Sequence, residues 1–359
     1  MSLIPDEYKI ASDEELSERI KQRKKSLGES LLILTHHYQR AEIVGLGDRV
    51  GDSYGLSKLA AKAGKARYIV FCGVRFMAEA ARILCRSDQS VYLPNPTAGC
   101  PMADMAPLEQ IDEAWQRIHE TQGFTSIIPI SYMNSSTDLK AFTGKHGGLI
   151  CTSSNAIEAF KWAFARAKKL FFFPDQHLGR NTVNKMSITA DQVVVYNPAA
   201  PDGGVTDAEL DRARVILWNG YCYVHAKFKL RHIDEWRARD TSVQVVVHPE
   251  CNEEVVNTAD AVGSTSFIVD FVKNAPAGST IAIGTELNLV HRLAITHKDK
   301  NIFELSGDSC PLCSNMFRTS LADLCYTLEN LETSQQIIVP NEILADAKIS
   351  LGRMLEISG

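Results

Sequence analysis

The sequence predicts an α/β fold: three pseudo-threefold-related α/β/α sandwich domains, each built on a parallel sheet. Three observations predict it. Apolar strand-like runs alternate with helical patterns along the chain, two segments repeat one another without a gap, and a looser third copy lies between them. Alternating strands and helices imply parallel sheets covered on both faces, and self-similarity sets the architecture before any motif is read.

The gapless pair is LLILTHHYQRAEIVGLGDRVGDS, residues 31 to 53, and VQVVVHPECNEEVVNTADAVGST, residues 243 to 265, at a constant offset of 212. His36 falls on His248, Glu42 on Glu254, Asp48 on Asp260, Val50 on Val262, Gly51 on Gly263 and Ser53 on Thr265. Each copy opens with an apolar run that reads as a buried strand, passes a polar turn and a short helical pattern, and reaches a second helix at Gly-x-Ser/Thr. Ser53 and Thr265 stand where an N-cap is expected. Another strand follows in each copy, RYIVFCG ending at Gly73 and TIAIG ending at Gly284. A further one leads to cysteine, in SVYLPNPTAGC at Cys100 and in NIFELSGDSCPLC at Cys313. The intervals from the first polar anchor to the hydroxyl and on to the cysteine are 17 and 47 residues in one copy, 17 and 48 in the other.

The middle copy has the same order of parts: SIIPISYMN, ICTSSNAIEAFKWAFARAKK, KLFFFPD and VILWNGYC. Its anchors are Tyr132 and Asn134, its hydroxyl is Ser153 and its cysteine is Cys222. The stretch at about 176–210, with PAAPDGG inside it, reads as an insertion. The expected divisions are 1–120 for an N-terminal helix and the first unit, 121–240 for the second, 241–330 for the third and 331–359 for a C-terminal helical extension that packs back on the body.

A chain of 359 residues, 45% apolar and 23% charged, is long enough for more than one core. The N-terminus, MSLIPDEYKIASDEELSERIKQRKK, is unlike a signal or transit peptide, and no run of eighteen apolar residues occurs, so a soluble, cytoplasmic protein with no membrane partner is expected. The net charge of −5 carries no long block of one sign, which gives no footing for nucleic acid. Nine cysteines, an odd number, point to free thiols and metal ligands rather than a disulfide framework.

In open parallel sheets, ligands gather beyond the carboxyl ends of the strands, which places the active site at the common interface of the three units. Cys100, Cys222 and Cys313, arriving at equivalent places, would give an iron-sulfur cluster all but one of its usual protein ligands, leaving one iron open as a Lewis acid. Cys310 and Cys313 form a C-x-x-C pair, but a second pair is missing, which argues against a zinc ribbon. Cys313, in the CSNM context, is the expected ligand and Cys310 its disulfide partner when the cluster is lost. Cys72, Cys85, Cys151, Cys251 and Cys325 read as ordinary thiols. Ser53, Ser153 and Thr265 at helix starts would favour anions. His36, Tyr38, Tyr132, Asn134, His248 and Glu250 form the acid-base set, with Glu250 a general base and Tyr38 or Tyr132 a proton relay. His37, His119, His146 and His177 read as structural.

These residues resemble the quinolinate synthase family, also called quinolinate synthetase A, from about residue 30 to residue 330. The matching pieces are HHYQ at 36 to 39, VGDS at 50 to 53, CGVRFMAEAA at 72 to 81, AGCPMAD at 98 to 104, YMN at 132 to 134, CTSSNA at 151 to 156, GYCYVH at 220 to 225, VHPE at 247 to 250, GSTS at 263 to 266 and GTE at 284 to 286. The resemblance implies a 4Fe-4S cluster on Cys100, Cys222 and Cys313. It also implies condensation of iminoaspartate with dihydroxyacetone phosphate to quinolinate, phosphate and water, in de novo NAD biosynthesis. It further implies that His36, Ser53, Tyr132, Asn134, Ser153, His248, Glu250 and Thr265 contact the substrate or intermediate, and that Tyr38 and Glu250, with His248 and Tyr132, serve catalysis. An L-aspartate oxidase or dehydrogenase that supplies iminoaspartate would be a transient partner. The chain departs from the family at Arg75, where histidine is frequent, and in its longer middle insertion. Two other readings stay open: a hydro-lyase with the same type of cluster acting on one dicarboxylate, and an iron-sulfur or zinc-responsive binding protein without turnover.

Overall fold

The computed structural model describes residues 4–122, 126–307 and 309–357. Among the described residues there are three sheets, and their strands pair in parallel. The first sheet comprises β1 (Leu31–His36), β2 (Arg49–Gly51), β3 (Tyr68–Cys72) and β4 (Ser90–Tyr92), in the order β2-β1-β3-β4. The second comprises β5 (Ile127–Tyr132), β6 (Leu149–Cys151), β7 (Lys169–Phe173), β8 (Val193–Tyr196) and β9 (Val215–Trp218), in the order β6-β5-β7-β9-β8. The third comprises β10 (Gln244–Val247), β11 (Ala261–Val262), β12 (Thr280–Gly284) and β13 (Asn301–Glu304), in the order β11-β10-β12-β13. The α/β class with parallel sheets is therefore observed as expected. Among the described residues, no helix is long and apolar enough to cross a membrane.

The repeat is visible in the pairing itself. Thr35 lies opposite Val50 and Cys72, and Val247 lies opposite Val262 and Gly284, so the 212-residue offset holds across three strands. Asp48 and Asp260 show why the alignment retains an acid there. Each carboxylate accepts the N–H of the second or third residue of the local strand run, Ile33 and Val245 respectively, at 2.7 Å in both cases. In the second sheet Ser131 lies opposite Ile150 and Phe173, which puts it in the place of Thr35 and Val247. The helix Gln176–Asn184 then corresponds to Arg75–Leu84 and Leu287–Thr296. The chain added to the middle copy follows that helix and supplies β8 at the sheet edge and the helix Asp207–Arg212.

By packing, the chain forms two compact units. One is built from Met1–Cys100, Glu286–Thr296 and Leu312–Val339 and holds the first sheet. Its core joins Ile33, Val70 and Tyr92 to Ile20 of the helix Asp13–Leu27 and to Leu324 and Leu328 of the helix Leu321–Glu329. The other, Pro101–Thr285 with His297–Pro311 and Pro340–Gly359, holds the second and third sheets. There Phe171, Phe173, Ile216 and Trp218 pack on Trp115 and Phe142, while Val245, Val247 and Ala282 pack on Phe228, Ile233 and Val255. Strands buried on both faces, such as β5, β7 and β9, need apolar residues at successive positions, which is how they read in the sequence.

The helix Asn341–Glu356 packs back on the helix Thr137–Lys145 of the same unit. The approach is close enough that a Cβ on Gly144 would meet the Asp346 carbonyl oxygen at 1.9 Å. Ser350 Oγ donates to the Lys140 carbonyl at 2.7 Å and Arg353 to the Gly148 carbonyl at 2.7 Å. Gly144→Ala should therefore destabilise the protein by about 1–3 kcal/mol through overpacking. We expect a lower melting temperature and faster hydrogen exchange in 341–356; an unchanged melting temperature and unchanged protection would contradict this packing.

Candidate active site

The polar anchors sit where the strands end. In the first unit His36 closes β1, and its Nδ1 accepts the Tyr38 N–H at 3.1 Å; in the other, His248 follows β10, and its Nδ1 accepts the Glu250 N–H at 3.4 Å. The same two-residue turn thus presents Tyr38 in one copy and Glu250 in the other. Tyr132 closes β5 in the place of the two histidines, and Asn134 falls in the place of Tyr38 and Glu250. The turn after Tyr132 is fixed by Lys140, which is wholly buried and donates to the carbonyls of Met133 at 3.0 Å and Ser135 at 2.5 Å.

Glu250 is the densest point of the site. It is 3% exposed; Oε1 accepts the Tyr132 hydroxyl at 2.5 Å, and Oε2 lies 2.7 Å from Nδ1 of His225 and 3.9 Å from Nδ1 of His248. The two imidazoles stack with centroids 4.4 Å apart, and His225 Nε2 meets Thr285 Oγ1 at 3.2 Å. Burial alone pushes the Glu250 carboxyl up, but His225, His248 and the Tyr132 hydroxyl outweigh it and hold it down at about 2. Asn181, on the helix Gln176–Asn184, secures this turn by donating to the carbonyls of Pro249 at 2.9 Å and Cys251 at 2.8 Å. Asp175, just before that helix, is wholly buried, and burial followed by the charge of Glu250 raises its carboxyl well above the ordinary range.

The hydroxyls behave differently from the capping roles expected of them. The N-cap before Ser53 is Asp52, whose side chain accepts from Gly55 N at 2.8 Å, and the N-cap before Thr265 is Ser264, which accepts from Phe267 N at 3.4 Å. Ser153 lies three residues ahead of its helix, Ala156–Phe164, where Thr152 and Asn155 close the turn instead. The reason is local: Asp52 and Ser264 precede the hydroxyl residues and reach the first-turn amides themselves. Ser53 and Thr265 become first helical residues. Ser153 lines a cavity of about 260 Å³ together with Asn181, Lys185, Gly263 and Ser264.

The cysteines divide by environment. Cys72, Cys85, Cys151, Cys251 and Cys325 are buried, and burial pushes their thiols up, to about 12 for Cys72 and Cys325. A thiol held that high is a poor metal ligand, because metals bind the thiolate. Cys100, Cys222 and Cys313 are half-buried in loops after β4, β9 and β13, and Cys310 is exposed. The Cys222 Sγ, a ring nitrogen of His225 and a carboxylate oxygen of Glu250 lie within 4.8 Å of one another, a donor set suited to a metal. The residues present therefore fit a metal centre. Sequence reasoning missed His225, Lys140, Asp175 and Glu286 as individuals, although GYCYVH and GTE carried two of them as motifs.

Parallel sheets with a buried tyrosine–carboxylate–histidine set at their strand ends define an enzyme of the α/β class. Residues 18–356 match the family described as Quinolinate synthetase A protein. Similar proteins include the Quinolinate synthase of Streptomyces coelicolor, 50% identical over 98% of this chain and 90% of that one, and that of Corynebacterium glutamicum, 48% identical over 99% and 91%. The Quinolinate synthase of Bacillus subtilis is 45% identical over 99% of this chain and 97% of its own. The chain belongs to the quinolinate synthetase A family.

Thiol chemistry offers a direct check on the cysteine division. At pH 8 a thiol with a pKa of about 12 is ionised to roughly one part in ten thousand. Alkylation of the native apoprotein should label Cys310 and spare Cys72, Cys151, Cys251 and Cys325, as read by peptide mass spectrometry. Raising the pH should increase labelling at the buried sites only as the protein unfolds. Early labelling of Cys72 or Cys151 in folded protein would contradict it.

Proposed function

We propose that the chain acts as a quinolinate synthase, joining iminoaspartate and dihydroxyacetone phosphate and releasing phosphate and two waters to give quinolinate. Atoms balance on that count, with no external oxidant. The observation that carries the reading is Glu250, buried and ionised between the Tyr132 hydroxyl and His225 in a chain of this family. Cys100, Cys222 and Cys313 would hold a 4Fe-4S cluster, which when bound supplies a Lewis acid for withdrawing oxygen. What supports these three is their half-buried loop setting, against the raised pKa of the buried thiols.

The chain's own residues take the remaining tasks. His36, Ser53, Tyr132, Asn134, Ser153, His248, Glu250 and Thr265 bind the anionic substrates and orient them for carbon–carbon and carbon–nitrogen bond formation. Tyr38 and Glu250 move protons, aided by His248 and Tyr132. A carboxylate held near 2 is a weak base while its donors stay on it. Drawing the Tyr132 hydroxyl toward substrate removes one donor and raises the proton affinity of Glu250 at the moment a proton must be accepted. Iminoaspartate would come from an L-aspartate oxidase or dehydrogenase.

Anaerobic assay of the reconstituted protein with both substrates should yield quinolinate, and omission of dihydroxyacetone phosphate should abolish it. Product from the dicarboxylate alone would favour a hydro-lyase instead. Glu250→Gln and Tyr132→Phe should each lower kcat by about a hundredfold or more, the scale of a lost general acid or base. Wild-type turnover in either variant would overturn their role.

A further inference from the structure

The parallel register places Val74, Asp175 and Glu286 at one equivalent position. Each stands two residues beyond the partner of Thr35, Ser131 or Val247, that is, beyond Cys72, Phe173 and Gly284. Two of the three are carboxylates, and both are wholly buried. Glu286 Oε2 accepts the N–H groups of Asn288 at 2.9 Å and Leu289 at 3.4 Å, while Oε1 accepts the N–H of Cys313 at 3.2 Å and Asn288 Nδ2 at 3.0 Å. Asp175 Oδ1 accepts the N–H groups of His177 at 2.7 Å and Leu178 at 3.0 Å, capping the helix Gln176–Asn184. The Cys222 loop is pressed against this turn: Gln176 N donates to the Gly220 carbonyl at 2.9 Å, and a Cβ on Gly220 would meet the Pro174 oxygen at 2.3 Å.

Each of these helices also holds an acid-base turn. Asn288 Nδ2 donates to the Tyr38 carbonyl at 3.3 Å, and Asn181 donates to the carbonyls on both sides of Glu250. In the first copy the carboxylate is replaced by Val74, and the loop before Cys100 is held by backbone instead, Arg75 N donating to the Ala98 carbonyl at 2.8 Å.

We propose that Asp175 and Glu286 are repeat-equivalent positioning residues: Glu286 holds the Cys313 amide directly, Asp175 caps the helix whose first N–H holds the Cys222 loop at Gly220, and each so ties a cysteine loop to the helix that sets a proton-transfer turn. This rests on the reading of Cys222 and Cys313 as cluster ligands. An acceptor side chain suits the task because the four groups bonded to Glu286 are all donors, the backbone N–H of Asn288, Leu289 and Cys313 and the Asn288 side-chain amide, which no apolar side chain could satisfy. Partners that orient metal ligands commonly change metal affinity by about ten- to a hundredfold when removed.

The test follows iron release from anaerobic holoprotein into a chelator, by loss of visible absorbance, in wild type, Asp175→Ala, Glu286→Ala and Glu286→Gln. The alanine variants should release iron about ten- to a hundredfold faster, with Glu286→Gln between them and wild type because it keeps one acceptor oxygen. Amide hydrogen exchange of the wild-type holoprotein supplies a reading that needs no variant: the Cys313 N–H should be protected. Release at the wild-type rate in the variants, or a Cys313 amide exchanging at solvent rates, would overturn the proposal. A wild-type protein that takes up no cluster would instead overturn the ligand assignment on which it rests.

Discussion

The parallel register between first and third strands, Thr35 opposite Cys72 and Val247 opposite Gly284, is the constraint on which the rest of this structure depends. Side chains alternate along a strand, so a slip of one residue would turn every core position outward and move every strand-end residue to the wrong face. Because β1 and β10 are each flanked on both sides by parallel partners, their ends are fixed in place, and the residues just beyond them can be polar without disturbing the core. The carboxylates of Asp48 and Asp260 lock the entry of the short edge strands by accepting a strand amide at 2.7 Å. His36 and His248 then repeat one turn geometry that delivers Tyr38 and Glu250.

What the register delivers is an electrostatic problem with a local solution. Removing an ionised carboxylate from water is costly, and Glu250 is stable in that state only because a hydroxyl and two imidazoles converge on it. Taking away one partner from such a buried set costs about 3–5 kcal/mol, so stability and chemistry share the same atoms here. Asn181 and Lys140 brace the two turns through backbone carbonyls, so that bracing does not fall to the side chains of Tyr132 and Glu250. Preorganisation of this kind lets charge develop in a reaction without rearranging the protein.

Much of this was legible in the sequence. The gapless repeat gave the succession of strands and helices along the outer units and the equivalence of Ser53 with Thr265, since a buried parallel strand leaves a continuous apolar run and a fixed distance to the next helix. The middle copy was harder to bound, because the helix Gln176–Asn184 belongs to the repeat while its sequence merges into the added chain that forms β8. Capping was misread at Ser53, Ser153 and Thr265, since Asp52, Asn155 and Ser264 are equally good capping types one or two residues away and only backbone geometry selects between them. His225 and Asp175 gave little signal: their importance comes from proximity to Glu250 across long sequence separations, which no local pattern encodes.

The proposed cluster needs three thiolate ligands, and Cys100, Cys222 and Cys313 are half-buried where the other candidates, Cys310 aside, are buried. Its most direct test is iron and sulfide analysis of anaerobically purified protein, in wild type and in Cys100→Ala, Cys222→Ala, Cys313→Ala and Cys72→Ala. About four irons and four sulfides per chain are expected in wild type and in Cys72→Ala, with loss of the cluster in each of the other three. Equal iron in all five proteins, or none in wild type, would contradict it.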